Sequence, residues 1–136
     1  MKILSLHPLA KTLALLFPAL LACSSAQATT FCVSDVATLE NALFFSTVLT
    51  AEPTTIKIVQ GNYVTTKDWS YSSVRPLTIQ GGYTNACAAR VVNPANTTVS
   101  APGHTIFLRQ IGAIPQAQIT IDGITFSNAN DFAIKV

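Results

Sequence analysis

After its first 28 residues the chain carries six acids, Asp35, Glu40, Glu52, Asp68, Asp122 and Asp131, and one histidine, His104. Two carboxyls about 5–9.5 Å apart would serve to cleave a glycosidic bond, and grouped acids would hold a hard cation. The spacing favours neither. Asp35 and Glu40 fall in a helical stretch, and Glu52 and Asp68 in loops. Only Asp122 projects from a repeated strand, and its equivalents in earlier repeats are Gln80 and Val59, so no second carboxylate stacks on it. Asp131 lies nine residues on, across a turn. Asp122 and Asp131 therefore read as solvated surface acids rather than as a cation site.

The remaining candidates have equally plain readings. His104 follows Gly103 without a serine–acid arrangement nearby and reads as an exposed turn residue. Lys57 and Arg109 point outward from strands as solubilising charges. Trp69 and Tyr71 offer faces for sugar stacking, but packing over a loop is the simpler account. Asn96-Thr97-Thr98 matches a glycosylation sequon of little weight in a chain with a bacterial type of leader. No catalytic residue, metal ligand or cofactor is expected. No glycine loop of the phosphate-binding kind precedes a helix.

Of the 136 residues, 49% are apolar and 10% charged, against a usual charged share of roughly 25%. That excludes a disordered or charge-driven chain. Lys2 and Lys11 account for the whole net charge of +2, so the remainder is neutral and carries no basic stripe for nucleic acid.

Residues 1–28 read as an export signal: two lysines, an apolar core over Leu13–Ala22, then Ala26-Gln27-Ala28 as the cleavage pattern. The core is too short to span a bilayer, which takes about 20 residues. A competing reading within export takes Leu20-Leu21-Ala22-Cys23 as a lipobox with Cys23 as the lipidated residue. Cys32 and Cys87 remain as an even pair in an oxidising compartment, so a disulfide is the default and two buried thiols the alternative. Closing that loop is worth roughly 3–4 kcal/mol in the chain-entropy account.

Residues 29–136 form one domain. Ile56-Lys-Ile-Val-Gln-Gly-Asn-Tyr63, Leu77-Thr-Ile-Gln-Gly-Gly-Tyr83 and Ile119-Thr-Ile-Asp-Gly-Ile-Thr-Phe126 align, with first residues 21 and then 42 positions apart. The spacing predicts a further copy near Thr98. Each copy alternates apolar and polar residues, then reaches glycine and an aromatic. Period 2 with β-branched residues means short strands with one buried face. A fixed repeat of one strand and one turn suits a parallel solenoid. Ile106–Leu108, Ile124–Phe126 and Phe132–Val136 supply other strands of each coil. A β-sandwich with evenly spaced turns is the competing fold. Val36, Leu39 and Leu43 mark a helical stripe, with Asp35 or Ser34 as its cap. An amphipathic helix there would cover an open solenoid end.

Asp35–Leu43, Thr55–Tyr63, Leu77–Cys87, Arg90–Thr97 and Ile119–Phe126 together resemble the N-terminal region of bacterial exported right-handed parallel β-helix repeat proteins. The resemblance implies an all-β, right-handed parallel β-helix of about four coils with an N-terminal amphipathic capping helix. It implies a periplasmic, secreted or outer-membrane-associated location. The expected function is that of a non-enzymatic, adhesin-like structural or surface-binding module for a cell-surface or polysaccharide ligand. The alternative is a fragment of a carbohydrate-active β-helix enzyme, polysaccharide lyase or glycosidase, whose catalytic coils lie elsewhere. No nucleic acid partner and no membrane span beyond the leader are expected. Phe132, Ile134 and Val136 continue the apolar alternation to the last residue, which points to a truncated member as readily as to a complete one and to end-to-end self-association of such a chain.

Overall fold

The computed structural model describes residues 28–48, 52–111 and 118–135. Residues 1–27 of the expected leader, Cys23 among them, lie outside the described residues. The elements run β1 (Thr29–Val33), α1 (Val36–Val48), β2 (Thr54–Val59), β3 (Gly61–Val64), β4 (Trp69–Ser73), β5 (Leu77–Tyr83), β6 (Thr97–Ser100), β7 (Thr105–Gln110), β8 (Ile119–Asp122), β9 (Thr125–Ser127) and β10 (Asp131–Lys135). Two short 3₁₀ turns, Asn85–Cys87 and Pro94–Asn96, lie between β5 and β6.

The strands form three sheets, ordered β1-β2-β5-β8, β3-β6-β9 and β4-β7-β10. Every strand pair is parallel. From β2 onward the chain visits the first, second and third sheet in turn, three times over. Parallel neighbours need a crossover rather than a hairpin, and here the other two sheets are the crossover. The alternation dictates which side chains face inward. Ile56, Ile58, Leu77 and Ile79 of the first sheet are buried together with Tyr63 and Val99 of the second and Trp69, Tyr71, Ile106 and Leu108 of the third. Outward, Thr30, Thr55, Thr78 and Thr120 stand side by side across all four strands of the first sheet, a favourable cross-strand column of β-branched residues.

Two sequence expectations are corrected by the register. Leu77 pairs with Ile119 as the spacing predicts, but Ile56 pairs with Ile79 and Leu77 with Thr54. The two copies are slipped by two residues. A slip of two leaves every side chain on its own face, so the alternation does not reveal it. Thr98 is not a further rung of the first sheet. It lies in β6 of the second sheet, between Asn62 and Thr125. The 42-residue interval is one circuit lengthened by the excursions between β5 and β6 and between β7 and β8, not two circuits. Period 2 specifies an inward face but not the sheet to which a strand belongs.

The helix replaces strands between β1 and β2. Asp35 caps it, its Oδ1 accepting from the Thr38 N–H at 2.8 Å. Leu39, Ala42, Leu43 and Ser46 are buried, and the helix packs on β1, β2 and β4. The expected amphipathic pattern is not met. Phe44, at 62% exposure, Phe45 and Val48 make the outer side apolar as well. A polar outer face is the usual form of a surface helix.

Glycine is required where the backbone crowds. Gly82 has φ +87, and a Cβ on it would strike the Val91 carbonyl oxygen. Val91 donates its N–H back to the Gly82 oxygen at 2.8 Å. This contact folds the β5–β6 excursion onto the first sheet.

Candidate functional site

Chemistry-bearing side chains gather where α1 lies against the start of β4. The helix brings Glu40, Asn41, Phe44 and Thr47, and the β3–β4 turn brings Lys67 and Asp68. They border a groove of about 350 Å³ whose wall is Trp69. That volume falls at the small end of the range for ligand sites, roughly 300–1,000 Å³.

Glu40 is held firmly. Its Oε2 meets Lys67 Nζ at 3.0 Å, and the buried Thr65 hydroxyl donates to its Oε1 at 3.0 Å. Burial raises the Glu40 pKa, but the Lys67 ammonium and the Thr65 hydroxyl, helped by the Trp69 indole, outweigh it and hold the carboxyl below its ordinary value. Trp69 is 7% exposed, and its buried Nε1 makes no hydrogen bond of its own. The indole N–H acts on the Glu40 carboxylate through proximity without reaching bonding geometry. A buried donor left in this state costs about 1–3 kcal/mol.

Asp68 forms the other shoulder. Its Oδ1 accepts from the Thr105 N–H at 2.7 Å and lies 3.4 Å from His104 Nδ1. His104 is thus partly covered and paired, not the free turn residue expected from sequence. The Asp68 side chain remains 71% exposed and borders the groove.

The other predicted residues are dispersed. Cys32 and Cys87 form a disulfide with Cα atoms 5.9 Å apart, tying the β5–β6 excursion to β1. Asp122 and Asp131 do not come together: they belong to the first and third sheets, and Asp122 is paired with Arg90 at 2.8 Å. Two strands back from Asp122 in register is Lys57, not Val59. Lys57 is no simple surface charge, since its ammonium lies 5.4 Å from the Tyr83 ring centre, with Arg90 at 5.5 Å. Trp69 and Tyr71 are buried in β4, where they pack into the core rather than over a loop and leave no face for sugar stacking at Tyr71. Arg109 is exposed on β7, and Asn96 sits at the end of a 3₁₀ turn. Among the described residues no three His, Cys, Asp or Glu side chains gather as metal ligands. No described helix is long and apolar enough to cross a membrane.

Sequence reasoning missed the groove. Glu40 and Lys67 are 27 residues apart and Asp68 and His104 further still, and no motif links them. The one available signal was Glu40 itself, an acid beside the apolar stripe of the helix. No protein-family model matches the chain, and neither does any curated protein or solved structure.

Proposed function

We propose that the three sheets close around one core as a right-handed parallel β-helix capped by α1, and that the protein is an exported, non-enzymatic surface-binding module for a cell-surface or polysaccharide ligand. The cyclic order in which the chain visits the sheets carries this reading. Right-handedness follows from the hand that parallel crossovers take. The disulfide fits an oxidising compartment. Such a scaffold offers an extended, rigid surface whose outward residues are free to vary.

The use made of the acids supports binding over catalysis. Asp35 caps the helix, Glu40 is ion-paired with Lys67, and Asp122 with Arg90. A glycosidase acid needs a raised pKa to deliver its proton, whereas Glu40 is held in the charged form. Sedimentation of the purified protein with insoluble cellulose, chitin and cell-wall material tests the proposal, with assays for new reducing ends and unsaturated products. Co-sedimentation without products is the expected result. Product release would favour the carbohydrate-active alternative, and no co-sedimentation would overturn surface binding.

A further inference from the structure

We infer that the groove between α1 and β4 is a subsite for one or two units of a neutral glycan, with Phe44 as the stacking face and Asp68 and Lys67 as polar anchors. This rests on the surface-binding reading and names where and what it binds.

The residue types select the ligand. Phe44 stands on the rim at 62% exposure, its ring set edge-to-face with Phe45 at 5.8 Å between centres, and an exposed aromatic face of this kind suits the C–H face of a pyranose. Around it the groove offers an acceptor in the exposed carboxylate of Asp68, a donor in the exposed Lys67 ammonium, and the side chains of Asn41 and Ser70. Sugar hydroxyls both donate and accept, and match such a mixed rim. A uronic acid does not: two carboxylates, Glu40 and Asp68, face it against one ammonium that Glu40 already engages. Below the rim, Trp69 Nε1 lies close to the Glu40 carboxylate without a hydrogen bond of good geometry. A ligand drawing Lys67 away from Glu40 frees that carboxylate to turn toward the indole.

Trp69 is the only tryptophan of the chain, and it lines this groove, so a change there reaches its fluorescence. The full disulfide-bonded protein is titrated with cellohexaose, mannohexaose and chitohexaose, with tetragalacturonate as the acidic comparison, while calorimetry records total binding. At least one neutral hexaose should give a saturable change in emission with Kd near or below about 1 mM. Phe44→Ala, an exposed position whose change leaves the core intact, should weaken it about tenfold. Asp68→Asn should weaken it several-fold with an unchanged circular dichroism spectrum. Absence of a saturable change with all three neutral sugars overturns the inference, and so does tighter binding of tetragalacturonate. Calorimetric binding that ignores both substitutions and leaves Trp69 emission unmoved also overturns it, while surface binding stands. Failure to co-sediment with any polysaccharide surface is the separate result that removes the surface-binding reading.

Discussion

Arg90 and Asp122, 32 residues apart, meet through a 2.8 Å ion pair that fastens the β5–β6 excursion to the last strand of the first sheet. The same guanidinium donates from Nε to the Gly81 carbonyl at 2.9 Å and from Nη2 to the Asp122 carbonyl at 3.2 Å, and it lies over the Tyr83 ring. One planar side chain thus satisfies two main-chain acceptors that no other described side chain reaches. Lysine cannot reproduce this fork. Arg90→Ala is expected to cost about 2 kcal/mol, mostly from the stranded acceptors, and Arg90→Lys nearly as much. Asp122→Asn should cost under about 1 kcal/mol, because Asp122 is 45% exposed and the pair is screened by water. Urea melts of the three variants check the order.

The disulfide makes a second claim on the same excursion. Cys87 has φ +53 and the preceding Ala86 φ +56, a left-handed pair unusual for residues with side chains. Cys32–Cys87 holds it against the outer side of the first sheet. Reduction, or replacement of both cysteines by serine, should lower stability by roughly 3–4 kcal/mol, chiefly by freeing the unfolded chain. Thermal melts with and without dithiol reductant measure it. A loss that Cys32→Ser/Cys87→Ser does not reproduce would point to another effect of the reductant.

These two fastenings were unequally legible. The cysteines declare themselves by their even number and by the export that the leader leads one to expect. The inward residues Ile56, Ile58, Leu77 and Ile79 declared themselves by alternation, and the helix by Val36, Leu39 and Leu43. Arg90–Asp122 and Glu40–Lys67 did not, because each pair is made by the register of elements far apart in sequence. Thr98 sits in the second sheet for a related reason: its alternation is equally suited to any of the three sheets, and loop length decides which. Trp69 and Tyr71 read as packing residues from the sequence, yet their strand β4 is not legible there, because Trp-Ser-Tyr-Ser alternates aromatics with serines rather than aliphatics.

Glu40 should mark the acid limb of stability. Its folded pKa lies below the ordinary value of 4.5, so the unfolded chain binds a proton first as the pH falls. The stability it contributes is full above that value and is lost as pH drops through the folded pKa. Lys67 is largely exposed, so the effect is expected to stay under about 1 kcal/mol. Glu40→Gln should lower stability at pH 7 and make the profile flatter between pH 5 and 3, roughly the span over which an acid-stabilised carboxylate titrates. Denaturant midpoints across that range are the measurement.

Tyr63 should mark the alkaline limb. Burial, reinforced by the nearby Asp35 carboxylate, raises its pKa from 10.0 to about 12. Its hydroxyl donates to the Val59 carbonyl at 2.7 Å. The unfolded chain loses this proton first, so the contribution is full below pH 10 and lost as pH rises to about 12. Two units correspond to at most about 2–3 kcal/mol. Tyr63→Phe should cost about 1 kcal/mol at neutral pH through the lost hydrogen bond, and should be less sensitive to alkali than the parent. Tyr71, also raised by burial, remains in both proteins and sets the residual slope.

The face opposite the helix carries the last expectation. Among the described residues, β8, β9 and β10 are the final strands of their three sheets, so their outer edges have unpaired N–H and C=O groups. Phe132 and Ile134 occupy the same inward columns as Ile106 and Leu108. The latter are fully covered, whereas Phe132 and Ile134 are 40% and 42% exposed, and Phe126 stacks on Phe132 at 4.7 Å between ring centres. Parallel strand edges beside exposed apolar side chains form a template for further strands. A polypeptide of residues 29–136 is therefore expected to self-associate through this face. Phe132→Lys with Ile134→Lys should restore the monomer, because a charge forced inward at an edge blocks pairing. Appending a capping turn with a polar outer side should do the same. Sedimentation velocity across a concentration series decides: a stable monomer of the unmodified 29–136 polypeptide at every concentration would show that these edges do not pair, whatever their apparent exposure.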